Sequence, residues 1–267
     1  MQISSDLMNA CGQLMRRVGE FQMQHFRAMP AGSSSSKSLR ETVSFVDVES
    51  ERMLIDGLTP LVDGAGFFGE ESGQSGSQQL VWIIDPLDGT TNFLSGLDHF
   101  SISVALVSDG QPLLGLVFKP YTGDLYSAMR GQGAYFNGKL QQLAQPDLPI
   151  NEALFMTGFP YRSADLAESF FQTAPEVLTL GLGIRRSGSA ALDLANLGMG
   201  WIQGFWESDL QPYDCAAGLL IMEENGIVCF NAAGQPFDMM KDRIIVAGLT
   251  NVQPALLDIV ARHYGDA

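Results

Sequence analysis

The chain is poor in basic residues, in histidine and in cysteine. Its 267 residues include 15 Lys and Arg against 30 Asp and Glu, a net charge of −15. A surface this acidic repels polyphosphate backbones, which argues against nucleic acid as a direct ligand. It repels small anionic substrates as well, unless a cation intervenes. The three cysteines, Cys11, Cys215 and Cys229, are odd in number and widely spaced. They offer neither a disulfide framework nor a paired metal or redox motif. The start, Met1-Gln-Ile-Ser-Ser-Asp6, lacks the basic and apolar segments of a secretory signal. With reduced thiols, this sets the expectation of a cytoplasmic protein. The histidines, His25, His99 and His263, stand too far apart for a paired metal site. No apolar run approaches the ~20 residues of a membrane helix, so no membrane partner is expected. The P-loop, the dinucleotide-binding glycine motif and the serine-hydrolase elbow are all missing.

What is present is a core-forming sequence, 46% hydrophobic and 17% charged. Its length suits two modest domains. Three- and four-residue apolar spacing predicts a helix over 6–28, behind Ser5 as a cap, and another over Phe45–Leu58. Pro30 and the run from Gly32 to Ser36 read as a mobile loop between them. β-Branched and aromatic runs then predict strands at Phe67–Glu70, Leu80–Asp85, Ser101–Val107, Leu113–Phe118 and Leu125–Arg130. Pro146 and Pro149 mark a boundary. Beyond it strands and helices alternate, with helices expected at Ala164–Ala174, Ala190–Gly198, Asp214–Asn225 and Pro254–Tyr264. The fold class is therefore α/β: an α+β half over 1–146 and an α/β half over 147–267.

One segment concentrates chemistry. Asp85-Pro-Leu-Asp88 follows the apolar run Leu80–Ile84 and leads directly into Gly89-Thr90-Thr91. Hard carboxylate oxygens suit Mg²⁺ or Mn²⁺. A Gly-Thr turn at a helix start presents N–H groups to an anion, although a plain tight turn has the same residues. Glu70, Glu71, Asp214 and Asp47 are further acids near predicted element ends. Each taken alone reads more readily as a solvated or capping residue than as a ligand, Asp214 as an N-cap. Arg185-Arg186-Ser187-Gly188-Ser189 is a second anion candidate, with a solvated charge pair as the alternative.

These residues resemble a known family. Trp82-Ile-Ile-Asp-Pro-Leu-Asp-Gly-Thr-Thr-Asn-Phe93 is similar to the metal motif of the inositol monophosphatase family. Gly69-Glu-Glu-Ser72 resembles its upstream acidic motif, Gly188-Ser-Ala-Ala191 its substrate-side loop, and Glu207 to Gly218 its C-terminal motif. The four matches occur in the family's order. The resemblance implies a layered αβαβα sandwich of the inositol monophosphatase and fructose-1,6-bisphosphatase type. It implies a Mg²⁺-dependent, lithium-sensitive phosphatase acting on a small phosphomonoester, usually as a homodimer. Two or three Mg²⁺ ions, replaceable by Mn²⁺, are expected per site. By the same resemblance Glu70, Asp85 and the Leu87 carbonyl hold one metal, and Asp85, Asp88 and Asp214 a second. A weaker third shares Glu70. Gly89 and Thr90 hold phosphate oxygens. Asp88, Gly188, Ser189, Ala190 and Glu207 meet the alcohol part of the substrate. Asp47 with Thr90 polarises the attacking water, so Asp47, Glu70 and Thr90 form the catalytic set.

The sequence departs from the family pattern at three places. Tyr213 stands where tryptophan is usual. The stretch Lys37 to Asp47 matches loosely, with Glu41 and Ser44 for the more common Asp and Thr. Leu97-Asp98-His99 replaces a proline-containing turn. Inositol monophosphate or a related polyol phosphate is the first substrate expectation. Histidinol phosphate, fructose-1,6-bisphosphate, NADP and 3′-phosphoadenosine 5′-phosphate are the alternatives on this scaffold. A regulatory partner of a transcription complex is the alternative of a different class.

Overall fold

The computed structural model describes residues 3–28, 34–36, 42–145 and 147–265. The chain opens with α1 (Ser5–His25), capped by Ser4, whose hydroxyl accepts from the Leu7 amide at 3.2 Å. The cap therefore lies one residue before the expected Ser5. Strands β1 (Ser34–Ser36) and β2 (Thr42–Ser44) pair antiparallel. The serine run is thus a strand over 34–36 instead of a loop, while Pro30, Gly32, Ser33, Lys37 and Glu41 lie outside the described residues. Helix α2 (Phe45–Leu58) follows.

The α+β half then lays down β3 (Gly66–Gly69), β4 (Gly73–Ser75), β5 (Leu80–Asp88), the short helix α3 (Thr90–Ser95), β6 (Ser101–Ser108), β7 (Gln111–Lys119), β8 (Asp124–Met129), β9 (Gly133–Phe136) and β10 (Lys139–Gln141). These eight strands form one sheet in the order β10-β9-β8-β7-β6-β5-β3-β4, antiparallel except where β3 runs parallel to β5. The second half comprises β11 (Leu154–Thr157), α4 (Ala167–Leu178), β12 (Gly183–Arg185), α5 (Ala190–Gly198), β13 (Gly204–Ser208), α6 (Pro212–Glu224), β14 (Cys229–Phe230), β15 (Ile244–Gly248) and α7 (Gln253–Tyr264). Its five strands form a mixed sheet, β12-β11-β13-β15-β14.

Alternation along the strands creates the layers. Trp82, Ile84, Ile102, Val104 and Leu106 face α1 and α2, where they pack with Leu14, Met15, Val18 and Leu54. Their neighbours Ile83, Ala105 and Val107 face the other way, onto Leu192, Leu194, Leu220 and Ile221 of α5 and α6. With both faces covered, β5 and β6 read as continuous apolar runs. Phe205 and Ile245 of the smaller sheet close the same middle layer. On its far side Phe155, Trp206 and Val246 pack against Phe170 and Val177 of α4 and Leu256 and Val260 of α7. The result is helix, sheet, helix, sheet, helix, the αβαβα sandwich expected from the resemblance. Helices α5 and α6 belong to the second half of the chain yet seal the sheet of the first, which carries their N-termini to the end of β5.

Candidate metal centre

The near side of the site is the end of β5. Residues three apart in a regular strand point to opposite faces. Here Asp85 pairs with Ser103 and Asp88 with Ser101, so three steps on β5 match two on β6. The extra residue is a bulge, and Pro86 in it has no N–H to lose. The strand therefore does not stop at Asp85 as expected but bulges and continues to Asp88. Both carboxylates come to one place. Asp85 is fixed by its own turn: its Oδ1 accepts from the Leu87 amide at 3.0 Å. The Leu87 side chain is buried with Val46, Phe93 and Phe100, which leaves its carbonyl to the site.

Gly89 follows with φ of 93° and caps α3. That left-handed conformation favours glycine. The first-turn amides of a helix have no acceptor within it, so Thr90 and its neighbours present N–H groups at this end. The Thr90 hydroxyl lies 2.8 Å from Asp47 Oδ1 and 3.0 Å from the Leu87 carbonyl. Asp47 is only 1% exposed. Its other oxygen closes a capping box on α2, accepting from the Ser44 amide at 2.9 Å and the Ser44 hydroxyl at 2.6 Å. The capping role and the contact with Thr90 coexist in one carboxylate.

The far side comes from the second half of the chain. Asp88 Oδ2 accepts from the Ser189 hydroxyl at 2.6 Å and the Ala191 amide at 2.8 Å, so the start of α5 rests on it. Asp214 lies in the first turn of α6, two residues after Pro212. It is the third residue of a capping box with Gln211 as the cap, its Oδ2 accepting the Gln211 amide at 2.6 Å. It is therefore not the N-cap that the sequence suggested. Arg162 Nη1 also donates to Asp214, at 3.0 Å. The carboxylate oxygens of Asp85, Asp88 and Asp214 lie within 4.8 Å of one another.

A cavity of about 540 Å³ contains this cluster. Glu70, Leu87, Gly89, Thr90, Gly188, Ser189, Ala190 and Glu207 line it too. Of the residues assigned by the resemblance, all line the cavity except Asp47, which lies behind Thr90. Glu71 and Arg185 stay outside, whereas Arg186 lines the wall, its guanidinium 5.0 Å from the Tyr161 ring centre. His99 does not line the cavity; its Nε2 is 3.9 Å from Asp193 Oδ1. Arg162, Asp193, Phe159 and Tyr161 were not picked out from sequence. Phe159, Tyr161 and Arg162 come from a loop with no motif around them, and Asp193 lies on α5 just past the Gly188–Ala191 match.

Crowding sets the electrostatics. Burial, and then repulsion from Glu70, Asp88 and Asp214, pushes the Asp85 carboxyl well above its ordinary range. Asp88 is pushed up to about 7, first by burial and then by Asp214. Burial also raises Glu207, Asp193 and Asp47. Buried carboxylates at this density are costly without cations. An all-oxygen donor set of acids and one backbone carbonyl suits a hard divalent metal.

Fold and site together define a layered α/β protein with a buried acidic cluster, able to hold a metal, where the halves of the chain meet. Residues 4–264 match the inositol monophosphatase family, a metal-dependent phosphatase family, and the chain belongs to it. The Nus factor SuhB of Escherichia coli strain K12 is 34% identical over 265 residues, covering 98% of each chain. That of Salmonella typhimurium strain LT2 is 35% identical over 256 residues, covering 94% of each. Among solved structures, the extragenic suppressor protein suhB of Bartonella henselae superposes with a TM-score of 0.89 at 32% identity, covering 96% of this chain and 98% of its own. The layered fold expected from the resemblance is the fold of these proteins.

Proposed function

We propose that this chain is a Mg²⁺-dependent phosphomonoesterase acting on inositol monophosphate or a related polyol phosphate. The convergence of Asp85, Asp88 and Asp214 beside the Gly89-Thr90 turn is the observation that carries this reading. Glu70, Asp85 and the Leu87 carbonyl are assigned to one metal, Asp85, Asp88 and Asp214 to a second, and Glu70 to a weaker third. When bound, such ions neutralise a phosphate dianion, acidify water and stabilise a leaving alkoxide.

The chain's own groups do the positioning. Gly89 and Thr90 N–H groups bind phosphate oxygens at the start of α3. The Thr90 hydroxyl donates to Asp47 and its oxygen accepts from the attacking water, which orients that water and draws proton charge towards Asp47. Asp88, Glu207, Gly188, Ser189 and Ala190 face the leaving alcohol. In this reading residues 1–146 form the metal- and phosphate-binding domain, and 147–267 the domain that completes the site. The protein acts in the cytoplasm as a homodimer. Among the described residues no helix is long and apolar enough to cross a membrane.

The test is phosphate release with Mg²⁺ from inositol 1-phosphate, histidinol phosphate, fructose-1,6-bisphosphate, NADP and 3′-phosphoadenosine 5′-phosphate. The polyol reading expects the first to be hydrolysed fastest. Release from another substrate alone would overturn it and leave the phosphatase assignment standing. A second reading is supported by relatives that carry the name Nus factor: a regulatory role in a transcription complex. An Asp88→Asn chain that releases no phosphate yet supports the wild-type cellular phenotype would favour that role.

A further inference from the structure

Glu51 takes no part in the site as described, yet it is built into it. It lies on α2, four residues after Asp47, and is only 3% exposed. Its Oε2 accepts from the Glu71 amide at 2.9 Å and its Oε1 from the Ser72 amide at 2.8 Å. One buried carboxylate therefore grips the two peptide groups that follow Glu70. The Glu70 amide itself donates to the Ile84 carbonyl at 3.1 Å, next to Asp85. Close approach of the carboxylate requires Gly69: a Cβ there would sit 2.3 Å from Glu51 Oε2. Three successive amides, at 70, 71 and 72, are thus tied to β5 and α2.

The spacing on α2 gives this a purpose. Asp47 and Glu51 stand one turn apart on one helix face. Asp47 holds the Thr90 hydroxyl on one side of the cavity floor, and Glu51 holds the Glu70 turn on the other. Gln22 ties the same helix to the bulge between them, its Nε2 donating to the Ser50 hydroxyl at 3.1 Å and the Pro86 carbonyl at 2.7 Å. A single rigid helix fixes the distance between the two sides.

We propose that Glu51 is a positioning residue for metal binding: its carboxylate, held by two backbone amides, sets the Glu70 side chain relative to Asp85. This rests on the assignment of Glu70 to a metal. The role needs two acceptor oxygens. Glutamine at 51 keeps the shape but turns an NH₂ donor towards one of the amide donors. Aspartate keeps the charge but is one methylene shorter.

The test is Mn²⁺ titration calorimetry on the full chain, with circular dichroism and melting temperature to confirm folding. Loss of an outer residue that orients a ligand weakens metal affinity by about 10- to 100-fold, and Glu51→Gln is expected to fall in that range. Its kcat is expected to recover at saturating metal, because Glu51 touches no substrate. Glu51→Asp, which retains both acceptors, is expected to lose less affinity, and it serves where the glutamine variant does not fold. A folded variant with a lowered melting temperature but Mn²⁺ affinity within about twofold of wild type would show a purely structural role and overturn the proposal. Wild-type protein that binds no Mn²⁺ would instead overturn the metal assignment on which both readings stand.

Discussion

The two sides of the cavity are built by different means. The near side, Asp85 to Thr90, is six consecutive residues that hold one another: Asp85 on the Leu87 amide, the Thr90 hydroxyl beside the Leu87 carbonyl. The far side is assembled from Gly188–Ala190, Glu207 and Asp214, separate segments delivered by α5, β13 and α6. The hydrogen bonds joining the sides run from Asp88 to residues 101 and 103 positions along the chain. A locally closed turn fixes how ligands are spaced from each other. A remotely closed one fixes how far they are from water and from other charges. The near side should therefore govern whether the site can work, and the far side how well it is tuned.

The largest effect should come from the near side. Asp85→Asn removes the carboxylate assigned to both metals, and a loss of at least about 10³-fold in kcat is expected in a phosphate-release assay. Glu71→Gln, one residue past Glu70 but outside the cavity, should stay within about tenfold of wild type. Equal losses would contradict the assignment. Next, Thr90→Val keeps the shape of the near side but deletes the hydroxyl that meets Asp47. A loss of roughly 10²- to 10³-fold in kcat with little change in KM is expected, the scale of general acid-base assistance.

Ser189→Ala probes the joint between the sides. It removes the hydroxyl donor to Asp88 and leaves the Ala191 amide in place. Activity at limiting Mg²⁺ should fall by about tenfold and stability by about 1 kcal/mol, read by kinetics and urea unfolding. A loss as large as that of Asp85→Asn would break the distinction between a deciding and a tuning side.

The remaining expected effect is on pH dependence. In chelator, burial and the neighbouring Asp214 push the Asp88 carboxyl up from an ordinary 3.8 to about 7 in the folded chain. The folded state binds this proton more tightly than the unfolded chain. Its contribution to stability therefore rises as pH falls through about 7 and levels off near the unfolded value, about 4. Melting temperatures of wild type and Asp88→Asn, compared from about pH 8 to about pH 5, should show a gain on acidification that is smaller in the variant. Identical slopes would mean that the Asp88 carboxyl is not raised in the folded chain.

Much of the fold was legible because its elements carry local periodicity. Helices α2 and α5 lie where apolar spacing puts them, Phe45–Leu58 and Ala190–Gly198. The strands β9 and β10 were not among those predicted, being short and half-exposed. The bulge was not seen, because period-two reading stops where pairing slips. Glu51 had a signal that could have found it: a second acid on the face of Asp47, one turn on. Arg162 had none, since its contact with Asp214 crosses 52 positions between a loop and a helix start.

The sequence by itself determined the ligand types, the six-residue near side and the family, because those depend on residue identity and short spacing. Only the tertiary structure decided that Asp85 and Asp88 share a face, that Asp214 stands beside them, and that burial pushes the Asp88 carboxyl up. Distance and burial are set by how α5 and α6 seal the larger sheet, and that packing has no image in local sequence.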